Sequence, residues 1–421
     1  MTKTMIKFVA FRGPLLLILF AHGLAATLWG SDVPRKPRVR AITAFVSIDR
    51  ATYGKQIQDT LVMLRKAKSA FEKGGYEVQT IRITTQPFPQ YTRGITKAEA
   101  LEFFKALVAL SKKEEFLANV GPAMLNDQDD SAVELLADIL VNTELNTSLV
   151  IAADDGIHWN AIRAAAKTVK YVEEHSANGA RNFDFAAAAF VPPFTPFFPA
   201  SSHNGPGHQF SVGLEGGAFV ADVFMESHGD PRIARELLSR KLAEHARPLE
   251  AIALQVEKDS GWSYMGLDAT PAPGPDSSIG AAIQQFSGAK FGSSGTLTAA
   301  AIITDAVRSI PVKRVGYSGL MLPPLEDPVL AQGWSERNYN VDSLLAYSAV
   351  CGTGLDTIPL PGDVSQQQLE RILGDVASLA VKWHKPLTAR LIPAPGKKAG
   401  DRTDFNFGIP DFPNVILQPL P

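Results

Sequence analysis

The feature that most constrains this chain is the alternation of strand and helix patterns that begins at Val39. Residues 39–48 form a β-branched and aromatic run and read as a buried strand. Residues 55–71 place Ile57, Leu61, Leu64, Ala67 and Phe71 at helical spacing and stop at Gly74-Gly75, a helix C-terminal signal. Residues 78–84 alternate, with Val78, Ile81 and Ile83 apolar and Gln79, Arg82 and Thr84 polar. Thr96 stands where it would cap a helix over 97–110. A short strand over 116–120, a helix over 132–141, a strand over 148–153 and a helix over 158–175 follow. Residues 183–191 are apolar except Asp184, as expected of a strand covered on both faces. This order predicts parallel strands joined by crossover helices, hence an α/β fold.

The rhythm breaks at residues 192–208, PPFTPFFPASSHNGPGH. Its five prolines exclude a helix or a ladder-paired strand. An apolar loop of this kind either plugs one end of a barrel or meets a ligand. After it come a strand over 210–215 ending in Glu215, helices over 218–225 and 232–246, and a strand over 264–268 ending in Asp268. A helix through Phe286, another opened by a glycine-serine turn, a helix over 364–380 and a strand over 387–392 complete the pattern. The tail from Asp401 is proline-rich and is expected to wrap the surface. No linker divides the chain after about Arg38, so residues 39–421 read as a single large domain.

The N-terminus carries an address signal. Lys3, Lys7 and Arg12 precede an apolar run over residues 14–29, the arrangement of a secretory signal peptide. Ala21, Gly23, Ala25 and Gly30-Ser31 offer small residues for cleavage. The other readings of residues 1–31 are an uncleaved anchor, another targeting segment or a misplaced start. Residues 32–38 read as a basic linker. A working signal implies export to the periplasm or beyond; without it the chain is cytoplasmic. Membrane contact is expected only through this segment if it stays uncleaved.

Composition narrows the partners. Hydrophobic residues make up 45% and charged residues 20% of the 421, enough for a sizeable core. A net charge of -2 without runs of like charge predicts no nucleic-acid partner. One cysteine excludes an internal disulfide and a cysteine-cluster metal site.

The chemistry concentrates between Lys313 and Asp363, which hold Cys351, the pair Glu326-Asp327 and the acids Asp356 and Asp363. Polar groups inside an apolar stretch are costly unless they have partners or a task. Candidate catalytic residues are Glu215, Asp268, Tyr317, Cys351 and Asp356. Glu215 and Asp268 are chosen because sites collect where strands end. Candidate substrate-binding residues are His203, Ser277, Ser278, Ser294, Thr353, Lys397 and Lys398. The serine and threonine turns would offer N–H groups to an anion, and the lysines a cation. Each has a plainer reading. Serines cap ordinary helices, Asp327-Pro328 fits an N-cap with a first-turn proline, a lone thiol is usually inert, and a lysine pair is usually solvated. No phosphate-loop or dinucleotide fingerprint is present, and no cofactor or metal is specified.

Several long motifs carry a family resemblance: RAITAFVSID, QTIRITTQPFP, PPFTPFFPASSH, FSVGLE, VGYSGLMLPPLED, GLDTIPLPGD and ARLIPAPGKKAGD. In this order they resemble the domain-of-unknown-function family 711, also called UPF0210, over roughly residues 39–418. That family looks related in fold to the pyruvate formate-lyase-like glycyl radical enzymes, which implies a ten-stranded α/β barrel. Arg314-Val315-Gly316-Tyr317 partly matches the glycyl-radical motif but lacks the serine or alanine before Gly316 and lies mid-chain. Three functions follow as expectations. The first is an enzyme that binds a small anionic metabolite in the barrel mouth and uses acid/base or nucleophilic chemistry. The second is a non-catalytic small-ligand-binding protein, and the third a metal-dependent hydrolase or lyase built on the acids and His203. A homo-oligomer is compatible with each.

Overall fold

Ten strands divide between two five-stranded sheets in the computed structural model, which describes residues 36–274, 277–407 and 412–420. The expected signal segment lies outside the described residues, and so does most of the expected linker, whose last residue opens the first strand.

The first half of the chain runs β1 (Arg38–Val46), α1 (Tyr53–Lys73), β2 (Val78–Thr85), α2 (Pro89–Thr92), α3 (Lys97–Glu114) and β3 (Leu117–Val120). It continues with α4 (Val133–Asn142), β4 (Thr147–Ala153), β5 (Gly156–Ile157), α5 (Trp159–His175), a 3-10 helix (Ala177–Asp184) and β6 (Phe185–Ala189). The second half has β7 (Gln209–Glu215), α6 (Gly217–Glu226), α7 (Pro231–Ser260), β8 (Ser263–Asp268), α8 (Ile279–Ser287) and α9 (Thr296–Ser309). Last come α10 (Pro328–Ser335), α11 (Val341–Ser348), β9 (Gly354–Pro361), α12 (Gln366–Trp383) and β10 (Leu387–Ala394).

The first sheet has the order β3-β2-β1-β7-β8 and the second β5-β4-β6-β10-β9. β1–β2, β2–β3, β4–β6, β7–β8 and β9–β10 are parallel, as the strand–helix alternation requires. β1–β7 and β6–β10 are antiparallel, so each sheet joins two parallel runs in opposite directions, and the short β5 adds an antiparallel edge to β4.

The two sheets do not form one continuous ten-stranded ladder. On one side, residues after β3 run beside β4, with Val120 N donating to Asn146 O at 2.9 Å and Ala123 N to Ser148 O at 3.0 Å. On the other, residues 313–322 lie between β8 and β9. Leu267 N donates to Lys313 O at 2.8 Å, and the Thr353 hydroxyl to Leu320 O at 2.6 Å. That segment crosses the residues leading into β9 so closely that a Cβ on Gly319 would sit 2.2 Å from Gly352 Cα. An isolated parallel bridge, Leu267 to Arg314, forms there in place of a ladder, and Gly316 at φ 71° and Ser318 at φ 45° bend the segment.

Local signals explain most boundaries. Thr96 and Glu99 close a capping box on α3, as do Ser365 and Gln368 on α12. Asp327 caps α10 ahead of Pro328. α7 reaches Ser260, well past the expected end, because Pro248 does not stop it. β9 carries two prolines, and no element is expected there from the sequence. It tolerates them because its regular ladder lies on one edge only.

The loop over 192–208 fills the space the sheets enclose. The Thr43 hydroxyl donates to Pro196 O at 2.8 Å, and Asn119 Nδ2 to Pro199 O at 2.6 Å. The alanines of β6 leave room for it: Ala186 and Ala188 pack against Ala200. Phe197, Phe198 and Pro199 form its tip and line the main cavity. The loop is thus both core filling and cavity wall. Among the described residues, no helix is long and apolar enough to cross a membrane.

Candidate functional site

A cavity of about 1220 Å³ lies between the sheets. That is above the usual range of about 300–1,000 Å³ for ligand sites. Its walls come from both sheets, the loop tip and the segment before α10. β1 supplies Arg40, β2 supplies Arg82, β9 supplies Asp356 and β10 supplies Arg390. Tyr317 and Glu326 come from the connecting segment, and Asp184 from the 3-10 helix.

Two of these side chains sit at ladder irregularities. In the β1–β7 pair the register shifts across Arg40. In the β9–β10 pair Leu355 faces Ala389 and Ile358 faces Leu391, so Asp356 and Thr357 both oppose Arg390. Such bulges re-aim side chains and are frequent beside active sites. Thr357 takes φ 47°, a left-handed value that a β-branched residue rarely adopts. Its buried hydroxyl has no hydrogen-bond partner among the described residues. Strain of this kind persists only where the surrounding structure imposes it.

Arg390 is the hub. Its Nη1 donates to Asp356 Oδ1 at 2.8 Å and to Glu326 Oε1 at 3.1 Å, and its Nη2 to Phe183 O at 3.1 Å. Its guanidinium lies 4.2 Å from the Phe183 ring centroid. Burial and the nearby Asp356 charge raise Glu326 above the usual carboxylate range, although Arg390 pulls it down.

Arg82 differs. It is 7% exposed, its Nε donates to Thr80 Oγ1 at 2.9 Å, and it stands over the Phe198 ring at 5.1 Å. It has no ion pair among the described residues, whereas Arg40 pairs with Glu215 at 3.3 Å. Burial, with Arg40 and Arg390 close by, pushes the Arg82 guanidinium down to about 9, against the partial support of Glu326. A buried cation without a counter-ion is expensive.

Asp184 adds a titratable group. Burial raises it to about 6 even though Arg181 Nη1 lies 2.8 Å away. Burial also raises the Tyr317 phenol, which lies beside the Thr388 hydroxyl.

Of the residues singled out from sequence, Tyr317, Glu326, Thr353 and Asp356 line this cavity. Asp268 does not line it but holds Tyr317 in place. The fully buried carboxylate accepts from Tyr317 N at 2.7 Å, Ser318 N at 3.2 Å, and Thr270 N at 3.0 Å. Glu215 closes a cluster with Arg38, Arg40 and Gln79 and faces a second cavity, which Ser277 also lines. Ser278 caps α8 and donates to Asp327 at 2.6 Å. Cys351 is buried, and its carbonyl accepts from Lys385 Nζ. His203 is buried with Nε2 3.2 Å from Val46 O. Ser294 and Lys398 are exposed, and Lys397 pairs with Asp404 at 3.4 Å. Among the described residues, no group of three or more His, Cys, Asp or Glu side chains is arranged to hold a metal ion.

Sequence reading missed Arg82, Arg390 and Asp184 as site residues. Arg390 and Asp184 share a signal, a charge in or beside a mostly apolar strand, whereas Arg82 falls on the polar side of an alternating one.

A family model described as Uncharacterised ACR (DUF711) matches residues 34–406. The chain belongs to the DUF711 family. Its curated relatives carry the name UPF0210 protein. One from Pyrobaculum islandicum is 30% identical over 400 residues, 88% of each chain. One from Pyrobaculum aerophilum is 30% identical over 363 residues, covering 81% of this chain and 80% of the relative. One from Listeria monocytogenes is 25% identical over 353 residues. Among solved structures, a chain titled "Anaerobic ribonucleotide reductase" aligns over 84% of this DUF711 chain and 70% of its own length. The TM-score is 0.37 at 8% identity, a likeness that defines neither fold nor chemistry.

Proposed function

We propose that this DUF711 protein is an enzyme acting on a small anionic metabolite in the main cavity. One observation carries the reading: Arg82 is buried, faces the cavity and has no carboxylate partner among the described residues. An anionic ligand group supplies the missing counter-charge, and guanidinium is the side chain best shaped to hold a carboxylate or phosphate. Asp184, raised to about 6, and Glu326, also raised, are the groups suited to move protons near neutral pH. Tyr317 and Asp356 stand beside them as orienting groups.

In the same reading the two sheets close a ten-position barrel around the cavity. The bonds from residues 118–124 to β4, and the passage of residues 313–322 between β8 and β9, support that closure. The basic-then-apolar N-terminus supports export, which an intact mass beginning beyond about residue 22 would demonstrate.

The test is depletion of anionic compounds from a metabolite mixture by the purified full chain, followed by mass spectrometry. The wild type should consume an anionic compound, and Arg82→Gln and Asp184→Asn should not. A ligand held but returned unchanged overturns the enzyme in favour of a binding protein.

A further inference from the structure

Unsatisfied acceptors and unsatisfied donors both face the cavity. Glu326 and Asp356 share a single nitrogen of Arg390, through Oε1 and Oδ1. Glu326 Oε2 and Asp356 Oδ2 accept no hydrogen bond from the described residues. Neither oxygen is sealed from solvent, and both residues line the cavity. Two carboxylates against one guanidinium leave a surplus negative charge when both are ionised. The Arg82 end is the opposite. Its Nη1 and Nη2 donate to nothing among the described residues, and they too are not sealed from the cavity. The first sheet thus presents unsatisfied donors, and the second sheet with the connecting segment presents unsatisfied acceptors, to one cavity.

We propose that the ligand is a zwitterion, with its acid group on Arg82 and a protonated amine between Glu326 and Asp356. The inference rests on the anion reading above and adds the second half of the ligand. An ammonium carries three donors, enough to reach both free carboxylate oxygens and keep one for a third acceptor. It also supplies the positive charge that Arg390 alone cannot. A plain acid would satisfy Arg82 but leave the two outer carboxylate oxygens unsatisfied, and a plain amine would leave Arg82 without a counter-ion. Sites built this way discriminate strongly, because each missing group leaves a buried polar partner exposed to its full desolvation cost. The ligand class is therefore amino acids, or amines that bear a carboxylate or phosphate.

The full chain is titrated calorimetrically with three matched series: the common α-amino acids with β-alanine, 4-aminobutyrate and 5-aminopentanoate; the acids propionate, butyrate and pentanoate; and the corresponding alkylamines. An amino acid should bind at least about tenfold more tightly than the acid of equal length, the worth of one charge-assisted hydrogen bond. Glu326→Gln should erase that preference, while Arg82→Gln should weaken acids and amino acids alike. The wild-type comparison stands even if a variant fails to fold. Equal or tighter binding of plain acids overturns the zwitterion and leaves the anion reading intact, and so does failure of every amino acid to bind while inorganic phosphate still raises the melting temperature through Arg82. Phosphate and acids that act equally on wild type and Arg82→Gln overturn both.

Discussion

Arg390 and Asp356 meet across the parallel β9–β10 pair, with Nη1 2.8 Å from Oδ1, at the bulge where β9 sets two residues against one of β10. The bulge turns the carboxylate toward the cavity. The guanidinium then gathers Glu326 as well, so one strand irregularity assembles groups from three parts of the chain.

Removing the hub should be costly. Arg390→Met leaves Asp356 and Glu326 buried without a cation, and breaking a buried pair from one side typically costs about 3–5 kcal/mol. Chemical denaturation measures the loss. A midpoint within experimental error of wild type would show that Arg390 does not hold this cluster together.

Asp268 acts through Tyr317. Asp268→Asn replaces one acceptor oxygen with an NH₂ group; facing the N–H groups of Tyr317 or Thr270, it would set donor against donor. The expected destabilisation is about 2–3 kcal/mol. The ultraviolet spectrum of Tyr317, read against Tyr317→Phe, should also shift as the loop loosens. An unchanged spectrum and stability would remove the positioning role.

Acid pH should favour the native state through Asp184. Its folded value of about 6 lies above the ordinary 3.8 because of burial. The folded chain therefore holds the proton more tightly than the unfolded chain. That contribution is complete below about pH 4 and is lost as pH rises through about 6. The stability difference between wild type and Asp184→Asn should change by about 2 kcal/mol between pH 4 and 7. A difference that stays flat over that interval would contradict the raised value.

Thr357 offers a gain. Thr357→Gly removes both the left-handed β-branched backbone and a buried hydroxyl without a partner. The variant should be more stable by about 1 kcal/mol, the relief of backbone strain less the entropy of glycine. If the melting temperature falls, the surrounding contacts of Thr357 outweigh its strain.

Much of the fold was legible because it is written in local pattern. Thr96, Asp327 and Ser278 announced their caps, and Gly74 ended α1, since capping needs only neighbouring residues. β9 was hidden because Pro359 and Pro361 look like breakers until the partner strand shows which edge they occupy. Tyr317, Thr353 and Asp356 were visible as polar residues in an apolar stretch, and they do reach the cavity. Arg82 and Arg390 were quoted within motifs but not weighed, because a charge in a strand reads as a solvent-facing position when its far side is unseen.

The sequence alone determined the order of strands and helices, the parallel pairing that order demands, and the family. Periodicity, caps and turns act over a few residues, so the linear text carries them. Only the tertiary structure decided which charges share a space. Arg82 and Asp356 stand far apart in the chain, and whether a buried guanidinium finds a carboxylate depends on how two sheets and one inserted loop meet. Pairing across that distance has no period, and its energy is fixed by burial that only the folded chain creates.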